Sequence, residues 1–453
     1  MRLLPLGLGL LAACSSGGHG VAPSGTAGEA THAGSDAGGR QGGGGVGAAP
    51  AAGSGASGFG GAGGAFAGNT GTGGSLAGSA NGAAAGSAGR DASGGRTGGA
   101  GEGAGGARAG GANGGATRGG ATNGGHAGEN TGGAAGASGG ASGNDRCDVA
   151  VYDSTKPPAA LTLSGNLGTH DPALIEAGGT YYLYATGDGV GAKTSKDLLA
   201  WSAAPAVFSK NPDWIAEQVP GATNLWAPDI AFFGGQYHLY YAASTFGSNH
   251  SCIGHATRAA LDAGSFADHG SVLCSNAGSS KDDFNAIDPN VILDEDGTPW
   301  LAFGSFWSGI KLVELNADGT RNGTAVTALA DRPANGGALE GAFIVRRCGY
   351  YYLFVSFGAC CDTPWDYNVR VGRATSVKGP YADKAGTAML QGGGTLLVAG
   401  NATWTAPGHN AVIFAGKTAY NVYHALNASH QNPVLRVAEL AWDDDGWPIS
   451  GGP

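Results

Sequence analysis

The stretch of sequence that decides the fold is Asp171-Pro-Ala-Leu-Ile-Glu-Ala-Gly-Gly-Thr-Tyr-Tyr-Leu-Tyr, residues 171–184, because variants of it recur along the chain. It combines a leading polar residue, a short apolar run, a glycine turn and an aromatic-rich run. Two such runs on either side of a glycine turn are typical of a β-hairpin. The other copies begin at Asp229, Asp288, Glu340 and His409.

The spacing of the five copies predicts the architecture. Their leading residues are 58, 59, 52 and 69 residues apart, which leaves room for two more strands in every unit. Four-stranded units repeated at this period are typical of a propeller, so we predict an all-β fold, a five-bladed β-propeller. The inner strands of a propeller converge on its axis. The five leading residues are therefore expected to occupy equivalent positions around one pocket.

These leading residues are four carboxylates and one imidazole. A single Asp at the start of a strand is more simply explained as a turn former, but five polar residues in register favour a functional site. Crowded carboxylates titrate together, and at least one of them keeps its proton near neutral pH. Glycoside hydrolysis uses a protonated carboxyl group that faces an ionised one.

Glycine divides the chain into segments. Of the 90 glycines among 453 residues, 51 lie in residues 15–145, which contain two aromatic residues and no cysteine. Such a segment cannot bury enough apolar surface to offset its ordering entropy, which predicts a disordered tether. Scarce proline and the absence of a regular G-X-Y triplet exclude a collagen helix. Residues 146–453 contain nearly all the aromatic residues and form the predicted propeller domain.

The distribution of charge along the chain indicates which class of ligand this domain binds. Residues 1–145 contain six acidic and six basic residues, so the formal net charge of −10 belongs to residues 146–453. A phosphate backbone requires a basic surface, and nucleic acid is therefore not an expected partner. A neutral ligand fits this domain better than a polyanion.

Residues 1–14 are predicted to be a lipoprotein-type signal peptide. Arg2 precedes an apolar run, residues 3–13, that is too short for a permanent membrane span. The end of this run, Leu11-Ala12-Ala13-Cys14, resembles the lipobox of bacterial lipoproteins, in which Cys14 would carry the lipid. The predicted location is the bacterial outer membrane or cell surface, on a tether with a mean span of roughly 60–70 Å. A secreted or periplasmic protein with an ordinary signal peptide is the alternative.

Six cysteines remain after Cys14, and an even number in an exported domain favours disulfides. Cys252 and Cys274 lie in consecutive strand-like runs and are the predicted pair. The chain has no C-x-x-C motif, and adjacent Cys360 and Cys361 are expected to point in different directions, so a zinc site is not expected. Whether these two cysteines bond to each other is left open.

From about Gly168 to Trp447 the chain resembles the arabinanases of glycoside hydrolase family 43. Those enzymes are five-bladed propellers that cleave α-1,5-linked L-arabinan with inversion, so the resemblance implies the same fold and activity. The motifs that carry the resemblance are Thr169-His170-Asp171-Pro172, Lys193-Thr194-Ser195-Lys196-Asp197-Leu198, Leu225-Trp226-Ala227-Pro228-Asp229, Ser244-Thr245-Phe246-Gly247-Ser248-Asn249, Ile287-Asp288-Pro289, Gly304-Ser305-Phe306-Trp307-Ser308-Gly309, Glu340-Gly341-Ala342, Cys360-Cys361, Arg370-Val371-Gly372-Arg373 and Gly408-His409-Asn410.

The resemblance implies a role for each of three carboxylates. Asp171 is the general base that activates water, Glu340 is the general acid that protonates the departing oxygen, and Asp288 orients Glu340 and raises its pKa. A free Glu has a pKa of about 4.3 and would hold almost no proton near neutral pH, so a neighbouring anion is useful. Inversion requires room for a water molecule. The carboxyl groups of Asp171 and Glu340 are therefore predicted to lie about 6.5–9.5 Å apart.

Further residues of the matching stretches are candidates for substrate binding. Sugar rings stack on aromatic side chains, which makes Trp226, Phe246 and Trp307 the predicted walls of the subsites. The other predicted substrate-binding residues are polar: His170, Asp229, Asn285 and Ser305. The remaining tyrosines of the repeat, together with His238, His255 and His424, are expected to have structural or surface positions.

His409 matches a position that, in related enzymes, helps to hold a cation on the propeller axis, usually calcium. Because Ca²⁺ prefers oxygen ligands, a histidine contact implies a largely water-coordinated ion. A histidine that is hydrogen-bonded to a neighbouring blade is the alternative. No organic cofactor is expected.

The favoured interpretation is a monomeric, endo-acting arabinanase whose substrate is arabinan or arabino-oligosaccharides. An exo-arabinanase, an arabinofuranosidase or a β-xylosidase of the same family are alternatives that differ in the loops closing one end of the cleft. A non-catalytic carbohydrate-binding propeller is an alternative of another class, and the complete set of Asp171, Asp288 and Glu340 argues against it.

Overall fold

The computed structural model describes residues 146–275, 284–361, 363–427, 429–430 and 432–453. The predicted signal peptide, Cys14 and the predicted tether lie outside the described residues. Five sheets follow one another along the described part of the chain, and the strands of each four-stranded antiparallel blade are consecutive in sequence. The prediction of an all-β, five-bladed β-propeller is thereby confirmed.

The strands of each blade run outward from the centre of the ring in chain order. Blade one comprises β2 (Ala173–Ala177), β3 (Thr180–Ala185), β4 (Gly191–Ser195) and β5 (Ala200–Ala204), with β1 (Ser164–Gly165) parallel to β5. Blade two comprises β6 (Leu225–Phe233), β7 (Gln236–Ala243), β8 (Cys252–Arg258) and β9 (Ala267–Cys274). Blade three comprises β10 (Asn290–Leu293), β11 (Pro299–Phe303), β12 (Ile310–Glu314) and β13 (Thr327–Ala330). Blade four comprises β14 (Leu339–Arg347), β15 (Tyr350–Phe357), β16 (Asn368–Ala374) and β17 (Thr395–Val398). Blade five comprises β18 (Trp404–Ala415), β19 (Thr418–Asn427), β20 (Val434–Trp442) and β21 (Pro448–Ser450).

Helical structure is confined to short connections. The α-helix α1 (Asp213–Gln218) precedes blade two, and two single-turn 3-10 helices span Pro333–Asn335 and Met389–Gln391. Among the described residues, every helix falls short of the length and hydropathy needed to cross a bilayer.

The core is divided among the interfaces between neighbouring blades. Each of five apolar clusters joins two adjacent blades, and the last one joins blade five back to blade one. At that interface Leu183 and Trp201 of blade one pack with Ile413 and Leu435 of blade five. Burial of apolar surface between the first and last blades therefore closes the ring.

Three disulfides cross-link the domain. Cys252 and Cys274 lie directly opposite each other in β8 and β9 and are bonded, which confirms the predicted pair. Cys360 is bonded to Cys361, which answers the question that the sequence left open. Cys147 is bonded to Cys348, in the turn that follows β14.

One position in each inner hairpin has a left-handed backbone. It lies two residues before a residue pair that is equivalent in all five blades, and it is occupied by Asp171, Ala227, Asp288, Gly341 and His409, with φ values of +51°, +41°, +57°, +62° and +49°. The five equivalent pairs are Ala173 with Tyr184, Asp229 with Tyr240, Asn290 with Ala302, Phe343 with Phe354 and Ala411 with Val422. Four of the five left-handed residues carry a Cβ, which makes this backbone conformation unfavourable. Such a conformation persists only where the surrounding structure holds it in place.

The left-handed position corrects the predicted equivalence of the five leading residues. Asp171, Asp288 and His409 occupy it, but Glu340 lies one residue before it and Asp229 two residues after it. The cause is the spacing of the leading residues from the turn: Asp229 and Glu340 precede the last paired residue of their strands by four and seven residues, whereas Asp171 and His409 precede it by six. The strands β6, β14 and β18 all shift register at the left-handed position. Such β-bulges re-aim side chains at the ends of strands.

Candidate active site

Asp171 lies at the start of the inner hairpin of blade one and is 8% exposed. Its Oδ2 accepts a hydrogen bond from the Thr186 hydroxyl at 2.6 Å and lies 3.2 Å from His170 Nδ1. Its Oδ1 lies 3.2 Å from His409 Nδ1 and 3.6 Å from His424 Nδ1. Burial alone would raise the pKa of Asp171, but the three histidines and the Thr186 hydroxyl together hold it well below its usual value. Asp171 is therefore ionised at neutral pH, as a general base must be.

Equivalent side chains on the second strand of three blades fix the left-handed residues. Each lies two residues after Tyr184, Phe354 or Val422, the second-strand members of the equivalent pairs, and accepts a backbone N–H from the next blade. The contacts are Thr186 Oγ1 with Ala227 (2.8 Å), Ser356 Oγ with His409 (2.8 Å) and His424 Nδ1 with Asp171 (3.2 Å). Sequence analysis missed Thr186 and gave His424 only a structural position, although their shared register in the repeat was a usable signal.

Glu340 lies in β14 and is partly exposed. The Ser305 hydroxyl donates to its Oε2 at 2.7 Å, and the Tyr367 hydroxyl donates to its Oε1 at 3.0 Å. Desolvation raises the pKa of Glu340; the two hydrogen bonds oppose that rise and the charge of Asp171 assists it, with the net direction upward. Glu340 thus keeps a proton to higher pH than a free glutamate, as a general acid requires.

Tyr367 holds Glu340 from a position that the repeat does not mark. Its ring is 1% exposed and stacks at 16° against His424, with 6.0 Å between ring centroids. A Cβ atom at Gly408 would lie 2.0 Å from the Tyr367 ring, so glycine is required there for the ring to fit. Gly408 belongs to one of the matching stretches of sequence, but its role emerges only from this contact.

Asp288 is 5% exposed, and its Oδ2 accepts the backbone N–H of Gly341 at 3.0 Å. Burial and the charges of Glu340 and Asp171 raise the pKa of Asp288 well above its usual value. The structure thus brings the three predicted carboxyl groups into one electrostatically coupled set. Asp171 is held ionised, while Asp288 and Glu340 are both pushed towards their protonated forms.

The predicted substrate-binding residues divide into accessible and buried groups. Phe246 and Trp307 are 70% and 44% exposed, so their rings are available to a ligand, and Trp226 is partly exposed in β6. Asn285 is buried and its Oδ1 accepts the Ser251 hydroxyl at 2.7 Å. His170 and Ser305 contact the carboxylates described above.

Asp229 has contacts that differ from its predicted role in substrate binding. Its Oδ2 accepts the backbone N–H of Val291 at 2.7 Å and lies 3.4 Å from the Asn290 amide nitrogen, which ties blade two to blade three. Asn290 holds the equivalent position in blade three, and its Oδ1 accepts the backbone N–H of Ile344 at 2.8 Å. These contacts give Asp229 a role in the packing between blades, and its contact with substrate stays a prediction.

We expect Asp229→Asn to stabilise the protein at neutral pH. Burial raises the pKa of Asp229 from 3.8 to about 6, against the hydrogen bonds that Val291, Ile230 and Asn290 donate. The group is protonated in both folded and unfolded states at low pH, and it is ionised at a cost in the folded state above about pH 6. The wild-type protein therefore loses up to about 3 kcal/mol as the pH rises between these values. An amide avoids this cost and keeps the acceptor, as Asn290 does in blade three.

Thermal unfolding of wild type and Asp229→Asn at about pH 4 and about pH 7.5 measures this effect. The variant should be more stable near pH 7.5, and the difference should shrink near pH 4. A loss of stability near pH 7.5 would contradict the assignment.

His409 is the predicted cation ligand. Its Nδ1 faces Asp171, and burial lowers its pKa despite the charge of Asp171, so the ring is neutral and keeps a lone pair for a metal. Among the described residues, two groups of side chains are arranged so that they could hold an ion, and neither includes His409. The role of His409 as a ligand of a largely water-coordinated cation therefore stays a prediction.

Comparison with known proteins identifies relatives of the whole propeller. Residues 165–448 match the family model of glycosyl hydrolases family 43. The chain is 40% identical over 306 residues to the extracellular endo-alpha-(1->5)-L-arabinanase 1 of Bacillus subtilis, covering 66% of this chain and 93% of the relative. It is 39% identical over 297 residues to the extracellular exo-alpha-(1->5)-L-arabinofuranosidase ArbA of Cellvibrio japonicus, covering 62% of this chain and 85% of the relative.

Solved structures are similar over the same region. The family 43 endo-arabinanase from Bacillus licheniformis superposes with a TM-score of 0.60 at 42% sequence identity, covering 64% of this chain and 99% of the neighbour. The family match, the five blades and the coupled carboxyl groups agree with one another. The chain therefore belongs to glycosyl hydrolases family 43.

Proposed function

We propose that the protein is an inverting, endo-acting arabinanase that hydrolyses α-1,5-L-arabinofuranosidic linkages in arabinan. The main support is the opposite direction of the pKa shifts in one site, where the pKa of Asp171 is lowered and the pKa of Glu340 is raised. Two carboxyl groups in opposite protonation states are what an inverting glycosidase requires. The names of the relatives, endo-arabinanase and exo-arabinofuranosidase, support arabinan as the substrate.

The proposed reaction is a single displacement. Asp171 accepts a proton from a water molecule as the water oxygen bonds to the anomeric carbon, and Glu340 gives its proton to the glycosidic oxygen as that bond breaks. His170 and Thr186 hold the Asp171 carboxylate in place. The separation of about 6.5–9.5 Å between the carboxyl groups of Asp171 and Glu340 remains a prediction of this mechanism.

Asp288→Asn is expected to move the alkaline limb of the pH profile of kcat to lower pH. Activity falls at high pH because Glu340 loses its proton. Asp288 and Glu340 raise each other's apparent pKa, so the pair keeps its last proton to higher pH than Glu340 would keep a proton alone. Each pKa unit by which the limb moves lowers the protonated fraction of Glu340 about tenfold at high pH. The amide keeps an acceptor for the Gly341 N–H. An alkaline limb that stays in place would contradict the proposed role of Asp288.

The products formed from linear, debranched arabinan test endo action. We expect a spread of oligomers early in the reaction, because the exposed rings of Phe246 and Trp307 can contact a chain that extends beyond the cleaved bond. Release of arabinose alone would contradict endo action and favour the exo-acting alternative. That alternative is retained because the Cellvibrio japonicus relative is named an exo-arabinofuranosidase. Native, branched arabinan as a second substrate measures the tolerance for side chains.

We also propose that His409 holds a largely hydrated Ca²⁺ ion. Such an ion would supply positive charge near Asp171 and so favour its ionised form. Chelation followed by addition of Ca²⁺ tests this: kcat should fall and then recover. Unchanged kcat after complete removal of metal would contradict it.

We propose further that the mature protein is exported and lipid-anchored through Cys14. The relatives are named extracellular, and three disulfides suit an oxidising compartment. The Cys147–Cys348 disulfide lies at the far end of β14 from Glu340, so a tether ending at residue 145 would join the face opposite the catalytic carboxyl groups. Cys14→Ser should move the protein from the membrane fraction to the soluble fraction.

A further inference from the structure

The disulfide between adjacent Cys360 and Cys361 lies beside the carboxylates of the proposed active site. We propose that reduction of this disulfide opens a binding site for a soft divalent metal ion such as Zn²⁺. The ligands are the two thiolates and Nε2 of His170. The sequence gave no reason to expect such a site, because His170 lies 191 residues away from Cys361 along the chain.

The three ligand atoms already have suitable spacing. The sulfur atoms of Cys360 and Cys361 and a ring nitrogen of His170 all lie within 4.8 Å of one another. The distance from Cys361 Sγ to His170 Nε2 is 3.6 Å. Tetrahedral zinc with its usual bonds to sulfur and nitrogen places two such ligands about 3.6 Å apart. All three residues are partly exposed, so an ion can reach them from solvent.

The hydrogen bonding of His170 leaves the required atom available. His170 Nδ1 lies 3.2 Å from Oδ2 of Asp171, so a ring proton on Nδ1 is placed to be donated to that carboxyl oxygen, and Nε2 is the ring nitrogen that keeps a lone pair. The lone pair of Nε2 then points towards Cys361. A histidine that donates to a carboxylate through one nitrogen and binds metal through the other is the usual arrangement of metal sites in proteins.

The chemistry has two steps. A trialkylphosphine reduces the disulfide with two electrons, and one water molecule supplies the two thiol protons and the oxygen of the phosphine oxide. The metal ion then displaces both thiol protons, and the two sulfur atoms separate to about 3.8 Å to fit a tetrahedral ion. Water fills the fourth position. Thiolates and imidazole together select zinc-like ions over calcium or magnesium.

Occupation of this site should inhibit the hydrolase, a consequence that rests on the proposed function. A metal ion on His170 Nε2 makes the Nδ1 proton more acidic and strengthens its hydrogen bond to Asp171. Asp171 then becomes a weaker base for the attacking water. The ion would also lie beside His170, whose other ring nitrogen contacts the Asp171 carboxylate.

Cobalt binding tests the site independently of activity. Protein reduced with a trialkylphosphine and freed of reductant under argon is titrated with Co²⁺. We expect thiolate-to-cobalt charge-transfer absorption and tetrahedral d–d bands that saturate at one equivalent and disappear when Zn²⁺ is added. The oxidised protein should give no such bands. Reduced wild type should also need at least about tenfold less Zn²⁺ than oxidised protein for half-inhibition.

Matched variants separate this site from the other reduced cysteines. Cys252→Ser/Cys274→Ser should keep the cobalt bands after reduction, whereas Cys360→Ser/Cys361→Ser should lose them. The single variant Cys361→Ser, with its folding checked by thermal unfolding, should weaken cobalt binding. Bands that persist in Cys360→Ser/Cys361→Ser, or that are absent from reduced wild type, would overturn the proposal. Cobalt bands without hydrolytic activity would leave this site intact and contradict only the proposed function.

Discussion

Glu340→Gln is expected to lower kcat on arabinan by about 10²–10⁴-fold. Gln has the shape of Glu, and it can accept a hydrogen bond from one of the Ser305 and Tyr367 hydroxyls through its oxygen and donate to the other through its amide, but it has no acidic proton for the departing sugar oxygen. An alkoxide of a sugar is a poor leaving group, so loss of this proton should lower kcat more than it changes KM. Steady-state kinetics on linear arabinan measure the effect.

The leaving group identifies the cause of the loss. An aryl arabinoside whose nitrophenolate departs without protonation should lose much less activity in Glu340→Gln than arabinan does. Glu217→Gln, an exposed glutamate of α1, is the matched control and should behave as wild type. Equal losses on both substrates would mean that Glu340 only supports the fold of the site. Full activity on arabinan would contradict its role altogether and favour the carbohydrate-binding alternative.

The sequence repeat predicts the blades well, but it places their site residues only where the leading polar residue keeps the same spacing from the turn. The strands β2 and β10 pair with their neighbours without a register shift, so Asp171 and Asp288 could be placed by counting from the turn. The strands β6, β14 and β18 contain bulges, and His409 in β18 was nevertheless placed correctly. Asp229 and Glu340 precede the last paired residue of their strands by four and seven residues, whereas Asp171 precedes it by six, so taking the nearest acidic residue as the leading one assigned them to the wrong register.

The sequence also could not predict the contacts between blades. Tyr367 reaches Glu340 because Gly408, on the next blade, leaves room for its ring. His424 accepts the Asp171 N–H from a strand 253 residues away. These pairs depend on how neighbouring sheets pack, which a hydrophobic pattern along one strand does not specify. The repeat together with the family resemblance was enough to predict the three carboxyl groups, but not the polar side chains that set their pKa values.

Asp171→Ala should cause a loss of kcat at the upper end of the range for a general base, about 10⁴-fold. The water molecule then has no group to take its proton, and three neighbouring histidines lose the carboxylate that they surround. The exposed Asp213 in α1 supplies the matched control, Asp213→Ala, which should keep wild-type kcat. An aryl leaving group should not restore Asp171→Ala, because protonation by Glu340 is intact in this variant.

Azide should restore activity to Asp171→Ala and should not restore Glu340→Gln. Azide needs no base, and it can enter the space that the carboxylate leaves, where the histidines favour an anion. Its nitrogen bonds to the anomeric carbon while Glu340 protonates the departing oxygen, so an α-linked arabino-oligosaccharide should yield a β-glycosyl azide. The configuration of that product, read by NMR, shows the side from which azide attacks, and a β-azide means attack from the side of Asp171. The stereochemistry of hydrolysis is decided by the first anomer that the wild-type enzyme releases, also read by NMR: a β-anomer means one displacement, whereas an α-anomer would require a covalent intermediate and would overturn the inverting mechanism.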